Sequence, residues 1–198
     1  MKSDLLFSGV PFINGDKVTL SRMTEMDIKA LWSIISDEEN YRYLSTAAAA
    51  SPPECKVRLR QAEQLFRDKR AVTLGIYPNQ GDYRLIGVLS LTDFDKKVGC
   101  CTLSVIMNRK YTGLGYASSA VRAAAGYLLG DIEMGRVQAF VLPVNHRAVV
   151  MLEHCGFKKE GTVRDGFYWD DKGIVDLTLY SLLPSDLRAE KPSVRAYF

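Results

Sequence analysis

Two glycines and a lysine stand where a predicted helix begins, and together they could bind an anion. The segment NRKYTGLGYASSAVRAAAG follows the strand-like run CTLSVIM, and its apolar residues then recur at helical spacing. Gly113 and Gly115 lie at the N-terminal end of that helix, with Lys110 just before them. Glycine lets the backbone turn tightly and approach a ligand closely. The unpaired N–H groups of a helix start favour a phosphate or pyrophosphate.

Two other interpretations of this loop exist. The glycines could simply form a strand-to-helix turn, because a GxG match at such a boundary is weakly specific. A dinucleotide-binding fingerprint is disfavoured: its third glycine would replace Ser118, and its loop would follow an early strand of a parallel sheet directly. Here residues 108–112 separate the strand from the first glycine.

A second candidate binding residue is Asn145, in the segment VLPVNHRAVVMLEHCGF. It follows a predicted strand and precedes a short predicted helix that ends near Gly156. Asn145 is therefore a good N-cap for that helix. Its amide could also contact a ligand that lies between this helix and the one after the glycine loop.

Acid–base chemistry has weaker candidates. Asp93 ends a predicted strand and is the first choice as a general base, although a solvated turn aspartate would have the same pattern. Tyr180, on the last predicted strand, is either a catalytic hydroxyl or a packed strand residue. The remaining candidates are Asp95, His146, Glu153 and His154. The cysteines at 55, 100, 101 and 155 show no metal-ligand spacing, so we predict structural thiols and no metal site.

Short apolar runs and turn residues indicate the elements that would position these side chains. The predicted strands are 17–22, 71–77, 84–91, 101–107, 136–142, 157–168 and 174–182. Helices are predicted after Thr24, after Ser51, at about 115–129 with Gly130 as its stop, and at about 146–154. The order is a β-meander followed by β-α-β-α-β-β, which predicts an α+β architecture.

Composition bounds the function. The chain has 198 residues, 47% of them hydrophobic and 25% charged, which is typical of a globular protein. We predict one domain over 1–198, with a core at about 15–184 and a loose tail at 185–198. No apolar run is long enough to cross a membrane, and the N-terminus lacks the apolar segment of a signal peptide, so a cytoplasmic location is predicted. The net charge of +3 is not clustered, which argues against nucleic-acid binding.

Three segments, taken in order, resemble the GNAT superfamily of N-acetyltransferases: KYTGLGYA, NHRAVVMLEHCGF and GTVRDGFYWDDKGIVDLTLYSLL. Within it they resemble the branch of the ribosomal-protein N-terminal acetyltransferases. The likeness spans roughly residues 15–184. It implies a single, mostly antiparallel sheet that splays between its fourth and fifth strands, flanked by about four helices, with acetyl-CoA entering the gap.

The resemblance also implies a cofactor site. The pantetheine arm would pair with one strand, and the pyrophosphate would bind the amides of the glycine loop beside a lysine. The implied residues are Val105, Ile106, Met107, Lys110, Tyr111, Thr112, Gly113, Leu114, Gly115, Tyr116, Ala117 and Asn145. No metal is implied.

The implied reaction is acetyl transfer from acetyl-CoA to a primary amine by direct attack, in a monomer or homodimer. Three positions differ from residues that the family often uses: Leu152 replaces a tyrosine, Ala148 a serine and Thr102 a glutamate. A non-catalytic acyl-CoA-binding module therefore stays as an alternative. The acceptor, whether a protein N-terminus, a polyamine, an aminoglycoside or an amino-acid-like molecule, would lie between residues 37–55 and a hairpin at 164–173. Acidic residues there could attract a cationic amine: Asp37, Glu38, Glu39, Asp165, Asp170 and Asp171.

Overall fold

A sheet of eight strands forms the centre of the computed structural model, which describes residues 2–44, 48–170 and 172–189. The strands are β1 (Ile13–Asn14), β2 (Val18–Ser21), β3 (Val72–Pro78), β4 (Gly87–Asp95), β5 (Cys100–Met107), β6 (Arg136–Val141), β7 (Lys158–Trp169) and β8 (Gly173–Leu182). Their order across the sheet is β1-β2-β3-β4-β5-β6-β8-β7. β5 and β6 run parallel, whereas the other paired neighbours are antiparallel.

Helices cover both faces of this sheet. They are α1 (Ser3–Leu6), α2 (Ile28–Ile35), α3 (Glu38–Tyr41), α4 (Pro53–Arg67), α5 (Tyr116–Gly126), α6 (His146–His154) and α7 (Pro184–Ala189). A capping box precedes α2, where a helix is predicted after Thr24: Asp27 Oδ2 accepts from the Thr24 N–H at 2.8 Å, and Thr24 Oγ1 accepts from the Met26 N–H at 3.2 Å.

Two apolar clusters form the core. Leu89 and Leu103 belong to the cluster beneath α5 and α6, while Val88 and Ile106 pack against the cluster beneath α2 and the start of α4. Successive side chains of a strand point to opposite faces of a sheet. The two clusters therefore lie on opposite faces, and the sheet separates them.

The sheet opens between β5 and β6. These strands pair only at Cys100↔Arg136, Cys101↔Val137 and Thr102↔Gln138. Gln138 Nε2 donates to Thr102 Oγ1 at 3.3 Å where the pairing ends. Beyond the Thr102↔Gln138 pair, β5 stays paired with β4 and β6 stays paired with β8, so β5 and β6 diverge. The predicted splayed α+β sheet is confirmed; the two-residue β1 makes the splayed strands the fifth and sixth in the chain.

Two predictions about segment ends are wrong. Gly130 does not end its helix, because α5 continues through a π-helical turn at Tyr127–Asp131 and Gly130 lies inside it. The tail is not loose from residue 185, because α7 occupies Pro184–Ala189 and Asp186 pairs with Lys158 at 2.6 Å. Residues 190–198 lie outside the described part of the chain.

The four cysteines are buried thiols. Burial raises the pKa of Cys55 and Cys100, and raises that of Cys101 to about 12. Such thiols are protonated and act as small apolar side chains. No group of three potential metal ligands occurs among the described residues, and none of the helices described there is both long and apolar enough to span a bilayer.

Candidate functional site

The glycine loop adopts the conformation that only glycine takes easily. Gly113 has φ 78° and Gly115 has φ 81°, both in the left-handed region. Gly115 is also the residue before the first turn of α5. The two glycines thus turn the chain from β5 onto the start of a helix.

Hydrogen bonds divide the N–H groups of this loop into two sets. The N–H of Tyr111 donates to the Asn108 carbonyl at 2.9 Å, and that of Thr112 donates to the Arg109 carbonyl at 3.2 Å. The four N–H groups from residue 113 to 116 find no acceptor among the residues that the structure describes. The amides that remain for an anion are therefore those of residues 113–116.

Cationic side chains surround the loop. Lys110 is exposed on the loop itself, and Arg109 lies 3.7 Å from Asp37 Oδ1. Lys17, in the turn between β1 and β2, reaches the loop from far upstream and donates from Nζ to the Leu114 carbonyl at 3.1 Å. Lys17 is not among the site residues that the sequence predicts. No local pattern could have found it, because only the folding of α5 across β2 brings the two segments together.

The glycine loop stands at the open end of the gap. β5 ends at Met107 just before the loop, and β6 ends at Val141 just before Asn145. Beyond Thr102, no described strand pairs with β5 on the side that faces β6. Its backbone groups there are available to an extended ligand, as an edge strand's are. Val105 and Ile106 are half-buried and Met107 is buried, so this edge is partly shielded from water.

Asn145 has the predicted capping role. Its Oδ1 accepts from the Ala148 N–H at 3.2 Å, at the start of α6. The cap uses the carbonyl oxygen of the side chain. The amide NH2 group remains as a donor at the open end of the gap.

Asp93 lies at the closed end of the gap. It follows the pair Thr92↔Thr102, on the far side of the point where β5 and β6 part. Its φ is 51°, within an irregular stretch of β4, and its exposed carboxylate accepts from Thr92 Oγ1 at 2.9 Å. Asp95 closes the following turn by accepting from the N–H groups of Lys97 and Val98.

Tyr180 lies closer to the start of the gap. It pairs with Ala139, one step beyond Gln138, and is only 3% exposed. Its hydroxyl donates to Glu153 Oε1 at 3.0 Å. Burial first, and then the Glu153 carboxylate, raise the pKa of Tyr180. Tyr180 is therefore a protonated hydroxyl held against α6.

Other candidates are dispersed. His146 and His154 are exposed at the two ends of α6, and Leu152 is buried in the core. Asp176 is exposed on β8, and its side chain accepts from the Asp165 N–H at 2.9 Å. That bond holds an irregular stretch of the β7–β8 hairpin, where Asp165 has φ 51°.

The two segments expected to border the acceptor are in contact. Trp169 Nε1, near the tip of the β7–β8 hairpin, donates to the Arg42 carbonyl at 2.7 Å. The rings of Trp169 and Tyr43 lie 5.9 Å apart. Asp37 is partly shielded nearby on the α2–α3 side, and Asp170 is exposed on the hairpin. Asp171 lies outside the described residues.

Comparison with known proteins identifies the family of this chain. Residues 17–158 match the acetyltransferase (GNAT) domain family. The uncharacterized N-acetyltransferase p20 of Bacillus licheniformis is 26% identical over 169 residues, which cover 85% of this chain and 93% of p20.

Two solved structures share the fold at low sequence identity. RimL, a ribosomal L7/L12 alpha-N-protein acetyltransferase in complex with coenzyme A, superposes with a TM-score of 0.77 at 15% identity, over 87% of this chain and 98% of RimL. The spermidine N-acetyltransferase of Vibrio cholerae, in complex with CoA and spermine, gives 0.74 at 18% identity, over 86% and 97%. The family match covers most of the chain, so this protein belongs to the GNAT family of acetyltransferase enzymes.

Proposed function

We propose that the protein transfers the acetyl group of acetyl-CoA to a primary amine while both substrates are bound. The observation that carries this proposal is the end of the β5–β6 pairing at Thr102↔Gln138. Beyond that pair, no strand among the described residues pairs with β5 on this side, and the strand leads to a loop whose amides at 113–116 find no acceptor in the same part of the chain. An edge followed by an anion site suits a molecule that has an amide-containing arm and a pyrophosphate.

In this arrangement the pantetheine arm runs along Val105, Ile106 and Met107. The pyrophosphate accepts from the four N–H groups of residues 113–116, at the positive end of α5, whose first turn includes Ala117. Lys110 adds a point charge. The NH2 group of Asn145 donates to the arm from the other side of the gap.

The chemistry asks little of side chains. The amine nitrogen attacks the thioester carbonyl, a C–N bond forms, the C–S bond breaks, and CoA leaves as a thiolate that is then protonated. The amine must first lose a proton to water or to a base. Asp93 is one candidate base, but it lies at the closed end of the gap; Tyr180 is a candidate proton donor beside Glu153. A backbone N–H of the splayed strand can stabilise the oxyanion.

Positioning then supplies much of the acceleration. Holding two reactants in attack geometry can contribute about 7–11 kcal/mol. Three positions where the family often has polar catalytic groups carry no acid or base here: Leu152, Ala148 and Thr102. The proposed reaction therefore relies on positioning and requires no single indispensable side chain.

The acceptor binds between the α2–α4 region and the β7–β8 hairpin, which the Trp169–Arg42 contact joins. The structural neighbours named above act on a protein N-terminus and on spermidine, and both acceptors present a primary amine. Four acidic residues on these segments favour a cationic amine: Asp37, Glu38, Glu39 and Asp170.

Thermal unfolding tests the cofactor. A ligand that binds only the native state at one hundred times its Kd stabilises it by about 2.7 kcal/mol. CoA and acetyl-CoA should therefore raise Tm, and NAD should not. Equal shifts with CoA and NAD, or none with either, would contradict the proposal.

Thiol release tests the transfer. With acetyl-CoA and a panel of peptide N-termini, polyamines, aminoglycosides and amino acids, at least one amine should release CoA thiol above the background. Binding of CoA with no release from any amine would instead favour the non-catalytic acyl-CoA module.

A further inference from the structure

The turn between β1 and β2 fastens one lysine against the glycine loop. In this turn the Gly15 N–H donates to the Val18 carbonyl at 2.8 Å, and the Asn79 N–H donates to the Lys17 carbonyl at 2.9 Å. The Lys17 N–H donates to Oγ of Ser119, a buried residue of α5, at 3.0 Å. The backbone of Lys17 is thus fixed to the helix that carries the loop.

The side chain of Lys17 then crosses the loop. Its Nζ donates to the Leu114 carbonyl at 3.1 Å. The same ammonium lies 3.2 Å from the place that a Cβ on Gly115 would occupy. Lys17 therefore contacts the peptide bond between Leu114 and Gly115, which joins the centre of the loop to the start of α5.

Peptide geometry determines what this contact does. In a trans peptide the C=O and the following N–H point in opposite directions. Because Lys17 binds the Leu114 carbonyl, the Gly115 N–H of the same peptide points away from Lys17. A cation on the carbonyl also polarises the peptide and strengthens its N–H as a donor.

We infer that Lys17 is a positioning residue for acetyl-CoA: it holds the 114–115 peptide from behind, so that the Gly115 N–H faces the pyrophosphate. The inference rests on the proposed function, which places the pyrophosphate at this loop. Lys17 acts through the peptide and does not touch the ligand.

The experiment compares Lys17→Met and Lys17→Arg with the unchanged protein and with Lys96→Met. Lys96 is exposed in the turn between β4 and β5, at the opposite end of β5 from the glycine loop, and its change alters the net charge equally. Lys17→Met should raise the Kd for CoA and the KM for acetyl-CoA about tenfold, the size expected for loss of a hydrogen bond to a charged group. kcat and the KM for the amine should stay within about twofold of their original values, and Tm should stay within about 2 °C. Lys17→Arg should restore binding.

The ligands add a second test. Dephospho-CoA retains the pyrophosphate, so Lys17→Met should weaken it by the same factor as CoA. S-acetylpantetheine lacks the pyrophosphate, so its kcat/KM should be unchanged.

A loss for CoA but not for dephospho-CoA would show direct contact with the 3′-phosphate and overturn the inference. Unchanged CoA binding in Lys17→Met, or an equal loss with S-acetylpantetheine or in Lys96→Met, would also overturn it. If the unchanged protein does not bind CoA, the proposed function fails instead.

Discussion

Single residues set the geometry of the candidate cofactor site. Gly115 combines a left-handed φ with a neighbour, Lys17, that leaves little room for a Cβ. Gly113 has a similar φ, but a Cβ there would meet no atom within 4 Å. The two glycines are therefore required for different reasons, one for conformation and space and the other for conformation alone.

Gly115→Val should abolish CoA binding. A β-branched side chain cannot easily take φ 81°, and it would displace Lys17 or turn the amide away from the ligand. We expect the Kd for CoA to rise about 100-fold or more, with Tm lowered by only a few degrees. Isothermal titration calorimetry and thermal unfolding give these two values.

Lys110→Ala is the matched comparison for that change. It removes one exposed charge, so CoA binding should weaken only a few-fold, and the loss should shrink at high salt. Normal CoA binding by Gly115→Val would show that the pyrophosphate binds elsewhere.

Asp93→Asn tests the carboxylate that the sequence favours first as a general base. The change keeps the shape and removes the basicity. Because Asp93 lies beyond the closed end of the gap, we expect kcat to fall less than about fivefold, whereas loss of a general base costs about 10²–10⁴. Steady-state kinetics at saturating acetyl-CoA decide this. A fall of 100-fold or more with unchanged CoA affinity would make Asp93 the base.

At the scale of elements, the site depends on where two strands part and where two helices begin. Because β5 and β6 run parallel, the glycine loop after β5 and Asn145 after β6 stand at the same end of the sheet. α7 is remote from this edge and docks through Asp186, whose carboxylate contacts Lys158 and accepts from the Leu183 N–H at 3.0 Å.

Asp186→Asn should loosen α7 in a way that depends on pH. The Lys158 ammonium first, and then the Leu183 N–H, hold the pKa of Asp186 below its usual range. A lowered pKa contributes stability above about pH 4 that is lost as the pH falls through the native value. The variant should thus be less stable than the unchanged protein at pH 6 and nearly equal to it near pH 2, as measured by urea unfolding.

Asp82→Asn provides the control, since its ion pair with Arg84 is exposed. It should change stability little at either pH. A loss for Asp186→Asn that is the same at pH 6 and pH 2 would contradict the ionic docking of α7.

Local patterns predicted most elements, and tertiary contacts account for what they missed. The helix predicted at about 146–154 is α6, and Asn145 caps it, because both features depend on neighbouring residues. Gly130 was misjudged because a glycine can also lie inside a helix when the packing of Leu128 and Leu129 continues it. The Lys17–Leu114 and Trp169–Arg42 contacts join distant segments, and periodicity carries no information about them.

For the whole molecule, the account predicts a pH dependence set by the acceptor. In a reaction without a dedicated base, the rate follows the fraction of amine that is deprotonated, which grows about tenfold per pH unit below the amine pKa. Activity should therefore rise from pH 6 to 9. A rate profile at saturating acetyl-CoA measures this, and a plateau above about pH 7 that is independent of the amine's pKa would indicate an enzyme base.

Amide hydrogen exchange tests the central claim most directly, because acetyl-CoA is placed along one strand edge and one loop. CoA should slow exchange in residues 103–107 and 113–117 while leaving the turn at 95–99 unchanged, and NAD should have no effect in any of these segments. Protection by CoA that bypasses both 103–107 and 113–117 would contradict the account.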